Sequence, residues 1–406
     1  MGVLLRKHRG VYSVTKISKL AFVGFLTAFA ISLENTIWSV YLDSFVNSAL
    51  IVGLIISSLT VLALASYFIF IPLIEKSDKA KLYLIVLFLL SLSYFLLYSF
   101  TNLSVILIIA VIIAMLSSLR MTSYGILIKD FSSKTKLSRN EGLVFTFANS
   151  AWIIGPLIAG YIAFHYGNRK VFLLGAVFLL LAFLVFRIFH FKDFKIKKKA
   201  DKSIIKNFKD FFKDRKRILA YVLGGGITAW WTLVYVYMPI LIIRSGLNSG
   251  WVGYFLFGVA LPLIALEYYF SKIAGKQGFR KMFILGYGSV ALLSLIAFFA
   301  FSDIYLVMFI IAFASIGMAI IEPVTEAYFF DILKGKDLYR FYGPYNTCID
   351  LGYLFGNISA AVLLFFLPFK FLFILFSLWM FLLFFLSFKT RNIIENKKQL
   401  KKSGKN

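Results

Sequence analysis

Twelve continuous apolar stretches divide this chain, at residues 20–46, 49–74, 82–100, 103–128, 143–164, 171–190, 218–243, 251–271, 282–301, 304–332, 343–368 and 370–388. A helix needs about 20 apolar residues to cross about 30 Å of hydrocarbon, so twelve crossings use about 240 residues. Hydrophobic residues make up 61% of the 406, and the stretches nearly exhaust them, leaving little for a soluble core. Membrane-spanning strands would be about 9–11 residues long with alternating polarity, which these runs lack. The pattern predicts an all-α membrane protein with twelve transmembrane helices.

The polar positions are as informative as the apolar ones. Of 44 Lys and Arg, 38 fall before span 1, in the gaps after spans 2, 4, 6, 8 and 10, or after span 12, and Arg187 stands at the same end of span 6. Only Arg169, Lys170, Arg244 and Lys370 occupy the opposite side, and Arg120 lies inside span 4. By the positive-inside rule, both termini and the 191–217 loop are expected in the cytoplasm of a cell bounded by this plasma membrane. A net charge of +26 invites a nucleic-acid reading, but charges set in short juxtamembrane loops are explained by orientation, and no nucleic-acid partner is expected. The run from Lys192 to Arg217 holds 12 Lys/Arg against Asp193, Asp201, Asp210 and Asp214, a composition suited to resting on anionic headgroups. A basic start followed by Ala28-Phe29-Ala30 mimics a cleavable signal; the apolar run continues to Val46, so it is expected to remain as span 1. The lone cysteine, Cys348, permits no intrachain disulfide.

The basic loop divides the spans six and six, and the halves repeat at a near-constant offset. Span 4 ends at Asp130 and span 10 at Asp331, while Gly155-Pro156-Leu157-Ile158-Ala159-Gly160 in span 5 matches Gly356-Asn357-Ile358-Ser359-Ala360-Ala361 in span 11. The expected organisation is an N-terminal six-helix bundle (1–190), a basic linker (191–217), a C-terminal six-helix bundle (218–390) and a basic tail (391–406). Six spans is an even number, so the halves share one orientation and are related by an axis along the membrane normal.

With these features the chain resembles the major facilitator superfamily over residues 15–390. The loop after span 2 is similar to that family's Gly-x-x-x-Asp-Arg-x-Gly-Arg-Lys signature, with Glu75 and Lys76 in the Asp-Arg places and departures at Ile71 and Asp78. The loop after span 8 keeps Lys276, Gly278 and Arg280 but has Gly275 where an acid would sit. Gly155-Pro156-x-x-x-Gly160 is similar to the helix 5 signature of the family's exporters. The resemblance implies that Lys76 pairs with Asp130 and Lys276 with Asp331 as a cytoplasmic gate, that helices 1, 4, 7 and 10 line a cavity, and that helices 3, 6, 9 and 12 face lipid.

Charges near the bilayer centre are costly and mark function by default. Here they are Glu34, Arg120, Glu267, Glu322, Glu326 and Asp350, and spans 3, 6, 9 and 12 have none in their central portions. Helical spacing groups Glu34, Trp38 and Tyr41 on one face of span 1, and Ser117, Arg120 and Tyr124 on span 4. It likewise groups Thr228, Trp231 and Tyr235 on span 7, and Ser315, Met318, Glu322 and Glu326 on span 10, beside Pro323. Glu34, Trp38, Tyr41, Arg120, Tyr124, Trp231, Tyr235, Glu322, Glu326 and Asp350 are therefore the candidate substrate and proton cavity. Two carboxylates one turn apart in a low dielectric cannot both ionise cheaply, which is the property a proton carrier needs.

The expected function is secondary active transport of a small solute by alternating access, proton-coupled and exporting small amphipathic molecules, by a chain that works as a monomer in the lipid bilayer. Proton-linked import of a sugar or organic anion is the alternative. An ATP-driven pump needs a Gly-x-x-x-x-Gly-Lys-Ser/Thr loop, which the Gly-Lys pairs at 275–276 and 335–336 lack. A membrane-embedded lipid-modifying enzyme would use Glu322 and Glu326 as metal ligands, but the three histidines (His8, His165, His190) are not central. No cofactor, metal or catalytic residue is expected. A non-transporting receptor on the same fold is the remaining alternative.

Overall fold

The computed structural model describes residues 16–70, 73–74, 77–131, 137–191, 204–333 and 337–391. The first six spans become α1 (Lys16–Val46), α2 (Ala49–Ile69), α3 (Lys79–Ser99), α4 (Leu103–Asp130), α5 (Leu137–Tyr166) and α6 (Asn168–Ile188). A short linker helix, α7 (Ile204–Phe211), precedes α8 (Arg215–Arg244), which contains a π-helical turn at Leu233–Tyr237. Then come α9 (Ser249–Gln277), α10 (Phe279–Phe299), α11 (Ile304–Ile332), α12 (Asp337–Phe366) and α13 (Phe371–Ser387). Eleven of these are long and apolar enough to cross a membrane. The last has 17 residues, a rise of about 26 Å and close to one hydrocarbon thickness.

Helices follow because the bilayer interior offers backbone amides no other partner. Where the chain leaves the apolar zone, polar residues close the ends: Asp78, Asn248 and Asp303 each accept hydrogen bonds from first-turn amides of α3, α9 and α11, replacing missing intrahelical acceptors. At the ends facing the basic loops the helices overrun the apolar stretches, α1 starting at Lys16, α8 at Arg215 and α12 at Asp337. Lys and Arg propagate helix readily and extend their charges into water, so helix boundaries lie outside the hydrophobic ones. Span 2 is shorter than its apolar run, its helix stopping at Ile69 before Pro72.

Two apolar cores form. One is built from residues between Ile17 and Phe186, the other from residues of α7 to α13. The second core also takes in Val40, Leu42, Ala49 and Val52 from the adjoining ends of α1 and α2, so the halves are packed together at the face opposite the basic loops. On the periphery, α3, α6, α10 and α13 expose Phe88, Leu181, Leu292 and Phe385, an apolar outer surface suited to lipid.

The linker helix belongs physically to the second half. Phe211 is fully buried among Tyr221, Phe329 and Phe341. Arg340 of α12 donates to Asn207 at 2.8 Å and to Asp210. Arg217 donates to the carbonyls of Asp210 and Phe211, closing the C-terminal end of α7. Hydrogen bonds from Lys213 and Arg340 hold the Asp210 carboxyl below its ordinary range.

Candidate translocation site

The second half builds an acidic cluster from three helices. Trp231 on α8 donates its indole N–H to Glu322 Oε1 on α11 at 2.6 Å. Glu267 on α9 lies within interaction reach of the same Glu322 carboxyl. Two carboxyls that meet can share a proton. Glu322 immediately precedes Pro323, which leaves one carbonyl of the preceding turn without its helical donor and loosens α11 at this level. Thus Glu322 is paired through space with Glu267 rather than with its sequence neighbour. Glu326, one turn on, is exposed and accepts from Tyr342 Oη at 3.0 Å. Asp350 is half-buried on α12, within electrostatic reach of Tyr67 on α2 and Tyr221 on α8.

Aromatic rings connect this cluster to the first half. Trp231 and Tyr235 lie 5.5 Å apart, and Trp152 of α5 stands edge-on to Tyr235 at 5.8 Å. Tyr235 is carried on the π-turn, a feature frequent at functional sites. Pro239 cannot donate to the Tyr235 carbonyl; Ser39 Oγ of α1 does so, at 3.3 Å.

In the first half, Tyr94 Oη donates to Glu34 at 3.3 Å, turning Glu34 toward α3. Trp38 and Tyr41 stand edge-on to Phe172 of α6, at 6.1 and 4.9 Å. Tyr41 therefore packs within its own bundle, while Trp38 touches both cores. Tyr124 Oη donates to the Leu20 carbonyl at 3.0 Å, its ring stacks on Tyr83, and it holds α4 against α1. Arg120 is half-buried, with its Nε enclosed and without a hydrogen-bond partner. Among the described residues no carboxylate pairs with it. Tyr67, Tyr83, Tyr94 and Tyr124 lie within electrostatic reach of its charge.

The two halves meet at the face opposite the basic loops. Arg244, at the end of α8, makes a two-pronged bond to Asp43 at the end of α1, Nε to Oδ2 at 3.0 Å and Nη2 to Oδ1 at 2.6 Å. These residues are 201 positions apart, the same offset that relates Asp130 to Asp331. The ion pair thus joins the corresponding ends of α1 and α8, the first spans of the two halves. Beside it, Gly160 of α5 and Gly253 of α9 allow backbone contact: a Cβ on Gly253 would lie 2.5 Å from the Pro156 carbonyl oxygen and 3.1 Å from the Gly160 Cα. Gly155 performs the corresponding service within the first half, against Ser32. The substitution Gly253→Val should overpack this seam by about 1–3 kcal/mol. It should raise labelling of a cysteine placed at Ser39 by an impermeant thiol reagent, because that seam can no longer close.

Of the loop-signature residues, Glu75 and Lys76 lie outside the described residues. Asp130 and Asp331 are half-buried at the basic ends of α4 and α11, and Lys276 is exposed at the end of α9. The residues that the sequence reading left off its candidate cavity are Glu267, Trp152, Asp43 and Arg244. Glu267 is visible in the sequence as a mid-span charge, whereas the Asp43–Arg244 pair shows only once the helices are packed.

The geometry is that of a duplicated helical carrier, and comparison with known proteins agrees. The chain belongs to the Major Facilitator Superfamily, whose family profile matches residues 20–276 and 252–405. It is a multi-pass membrane protein and a secondary transporter of that class. Quinolone resistance protein NorA of Staphylococcus aureus strain MRSA252 is 26% identical over 301 residues, covering 72% of this chain and 75% of that protein. NorA of strain COL is 27% identical over 303 residues, with the same coverage of 72% and 75%. Among solved structures, a POT family transporter in complex with 5-aminolevulinic acid superposes with a TM-score of 0.77 at 11% identity, over 92% of this chain and 95% of that one. The nucleoside transporter NupG gives 0.75 at 10% identity, over 92% and 98%. These structural likenesses are of fold.

Proposed function

We propose that this chain is a proton-coupled exporter of small amphipathic molecules in the plasma membrane, with the basic loops and both termini on the cytoplasmic side. The observation that carries the reading is the Glu267–Glu322–Trp231 cluster, continued by Tyr235 and Trp152 across the line where the halves meet. Two carboxyls able to share a proton, beside rings that can receive an apolar substrate, support coupling and binding side by side. The kinship with a quinolone resistance protein supports the direction, because a carrier protects a cell from a drug by lowering the drug's internal concentration.

In this reading the halves rock around the midplane, and the present conformation is closed at the outer face. The Asp43–Arg244 pair and the Gly160–Gly253 seam are the outer gate. The loop pairs Lys76–Asp130 and Lys276–Asp331 form the inner one when the molecule turns over. Arg120, a guanidinium without a carboxylate partner, supplies a hand for the anionic group of a substrate.

That same arginine favours a second reading, proton-linked import of an organic anion. Proteoliposomes separate the two. Antiport predicts that an acid-inside gradient drives uptake of an amphipathic fluorescent dye or a quinolone, and that a reversed gradient does not. Uptake driven only by an acid-outside gradient, and only for organic anions, would establish import instead.

A further inference from the structure

The face opposite the basic loops carries only four cations, and two of them have visible assignments. Arg244 is bonded to Asp43, and Lys370 lies 5.5 Å from the ring centres of Phe298 and Phe371. The other two, Arg169 and Lys170, stand together at the start of α6 and line a cavity of about 340 Å³ with Tyr41, Ser44, Tyr98 and Tyr166. No acidic residue lines that cavity, and among the described residues neither cation has a carboxylate partner.

The cations are held in place by neutral groups. Arg169 donates through Nε to the Tyr98 carbonyl at 2.8 Å and through Nη2 to the Tyr98 and Ser99 carbonyls. Lys170 Nζ donates to Tyr98 Oη at 3.2 Å and sits 5.0 Å from that ring's centre. These bonds fix both positions and neutralise neither charge. Tyr41 is only 4% exposed, yet its hydroxyl has no hydrogen-bond partner, and it lies within electrostatic reach of Arg169. A buried hydroxyl normally finds a partner. Gly167 has φ +86° and turns the chain sharply into α6, whose first amides receive no side-chain cap.

We propose that this cavity binds a phosphate group. Donors converge on it from Tyr41, Lys170, Arg169 and the opening turn of α6, all suited to an oxyanion, and no acceptor charge opposes one. Its level beside exposed Tyr166, at the end of the transmembrane helices, makes a phospholipid headgroup or a free phosphate the source. The site is built from α1, α3, α5 and α6, all in the first half, so rocking of the halves leaves it intact. It is a different place from the acidic cluster, and the proposed direction of transport does not bear on it.

Native mass spectrometry of the purified full chain, with added phosphatidylglycerol or phosphatidylcholine, tests it alongside thermal unfolding with inorganic phosphate. Preferential retention of phosphatidylglycerol, reduced by about tenfold in Lys170→Gln and by about threefold in Tyr41→Phe, supports the site with lipid as its source. Stabilisation by inorganic phosphate that both variants lose, without lipid preference, supports it with a free anion as source. Tyr41→Phe keeps the ring on Phe172, and an unchanged unfolding midpoint without phosphate confirms that it folds. Equal retention by all three proteins without a phosphate effect overturns the proposal. So does a loss confined to Lys170→Gln, which would be general surface attraction rather than a built site.

Discussion

Asp43→Arg is expected to open the face opposite the basic loops and to slow transport by about tenfold or more. The pair it destroys is two-pronged, with the Asp43 side chain 10% and the Arg244 side chain 36% exposed. That puts it between a surface ion pair, worth about 0–1 kcal/mol, and a buried one, whose breaking costs about 3–5 kcal/mol. The substitution also sets two cations side by side, and each 1.4 kcal/mol lost from the closed state is about a tenfold shift. Arg244→Asp should do the same. The stronger expectation concerns the double variant, Asp43→Arg with Arg244→Asp. An ordinary salt bridge is rarely reversible, because the longer side chain no longer starts where its space lies. Here the two positions lie at corresponding ends of the first span of each half, so exchange recreates a closely similar pair with the bundles interchanged. Transport should return to at least about half of the original rate, which is less than 1 kcal/mol from full restoration. Labelling of a cysteine placed at Ser39, in a Cys348→Ala background, reports the gate directly: high in each single variant and low again in the exchange. Single variants that label no faster than the parent, or an exchange no better than either single, would remove this pair from the gate.

The contrast between what the sequence shows and what it hides follows from the solvent. A bilayer forces each crossing to be a continuous helix of nearly fixed length, so the twelve spans and the duplication were legible from apolar runs and offsets alone. So was the split between α3, α6, α10 and α13, which lack central charges, and the helices that carry them. Pairings between helices were not legible, because rotation about each helix axis is set by packing. Glu322 and Glu326 look like one site at a spacing of four residues, but about 40° of helical rotation separates them. That angle suffices to turn one toward Trp231 and Glu267 and the other toward Tyr342. Similarly, Glu34, Trp38 and Tyr41 share a face, and only the positions of Tyr94 and Phe172 reveal that Glu34 and Tyr41 turn into the first bundle while Trp38 touches both cores.

The distinction between the two glutamates carries a consequence for coupling. A gradient of one pH unit is worth about 1.4 kcal/mol per proton, so exchange of one proton per molecule sustains about tenfold accumulation. Glu322→Gln keeps an amide oxygen to accept from Trp231 Nε1 and nearly the same volume, but it cannot release a proton. Accumulation in acid-inside proteoliposomes should therefore fall to a ratio of about one, while gradient-free exchange of labelled for unlabelled substrate continues. Glu326→Gln changes an exposed carboxyl bonded to Tyr342 and should leave accumulation close to that of the parent. Glu267→Gln falls between them, since its amide can still bond Glu322 but the shared proton is gone. If Glu326→Gln abolished accumulation and Glu322→Gln did not, the coupling site would lie at the α11–α12 contact with Tyr342. If Glu322→Gln also stopped exchange, the residue would hold the substrate rather than the proton, because only a coupling group can be lost without losing the carrier's turnover.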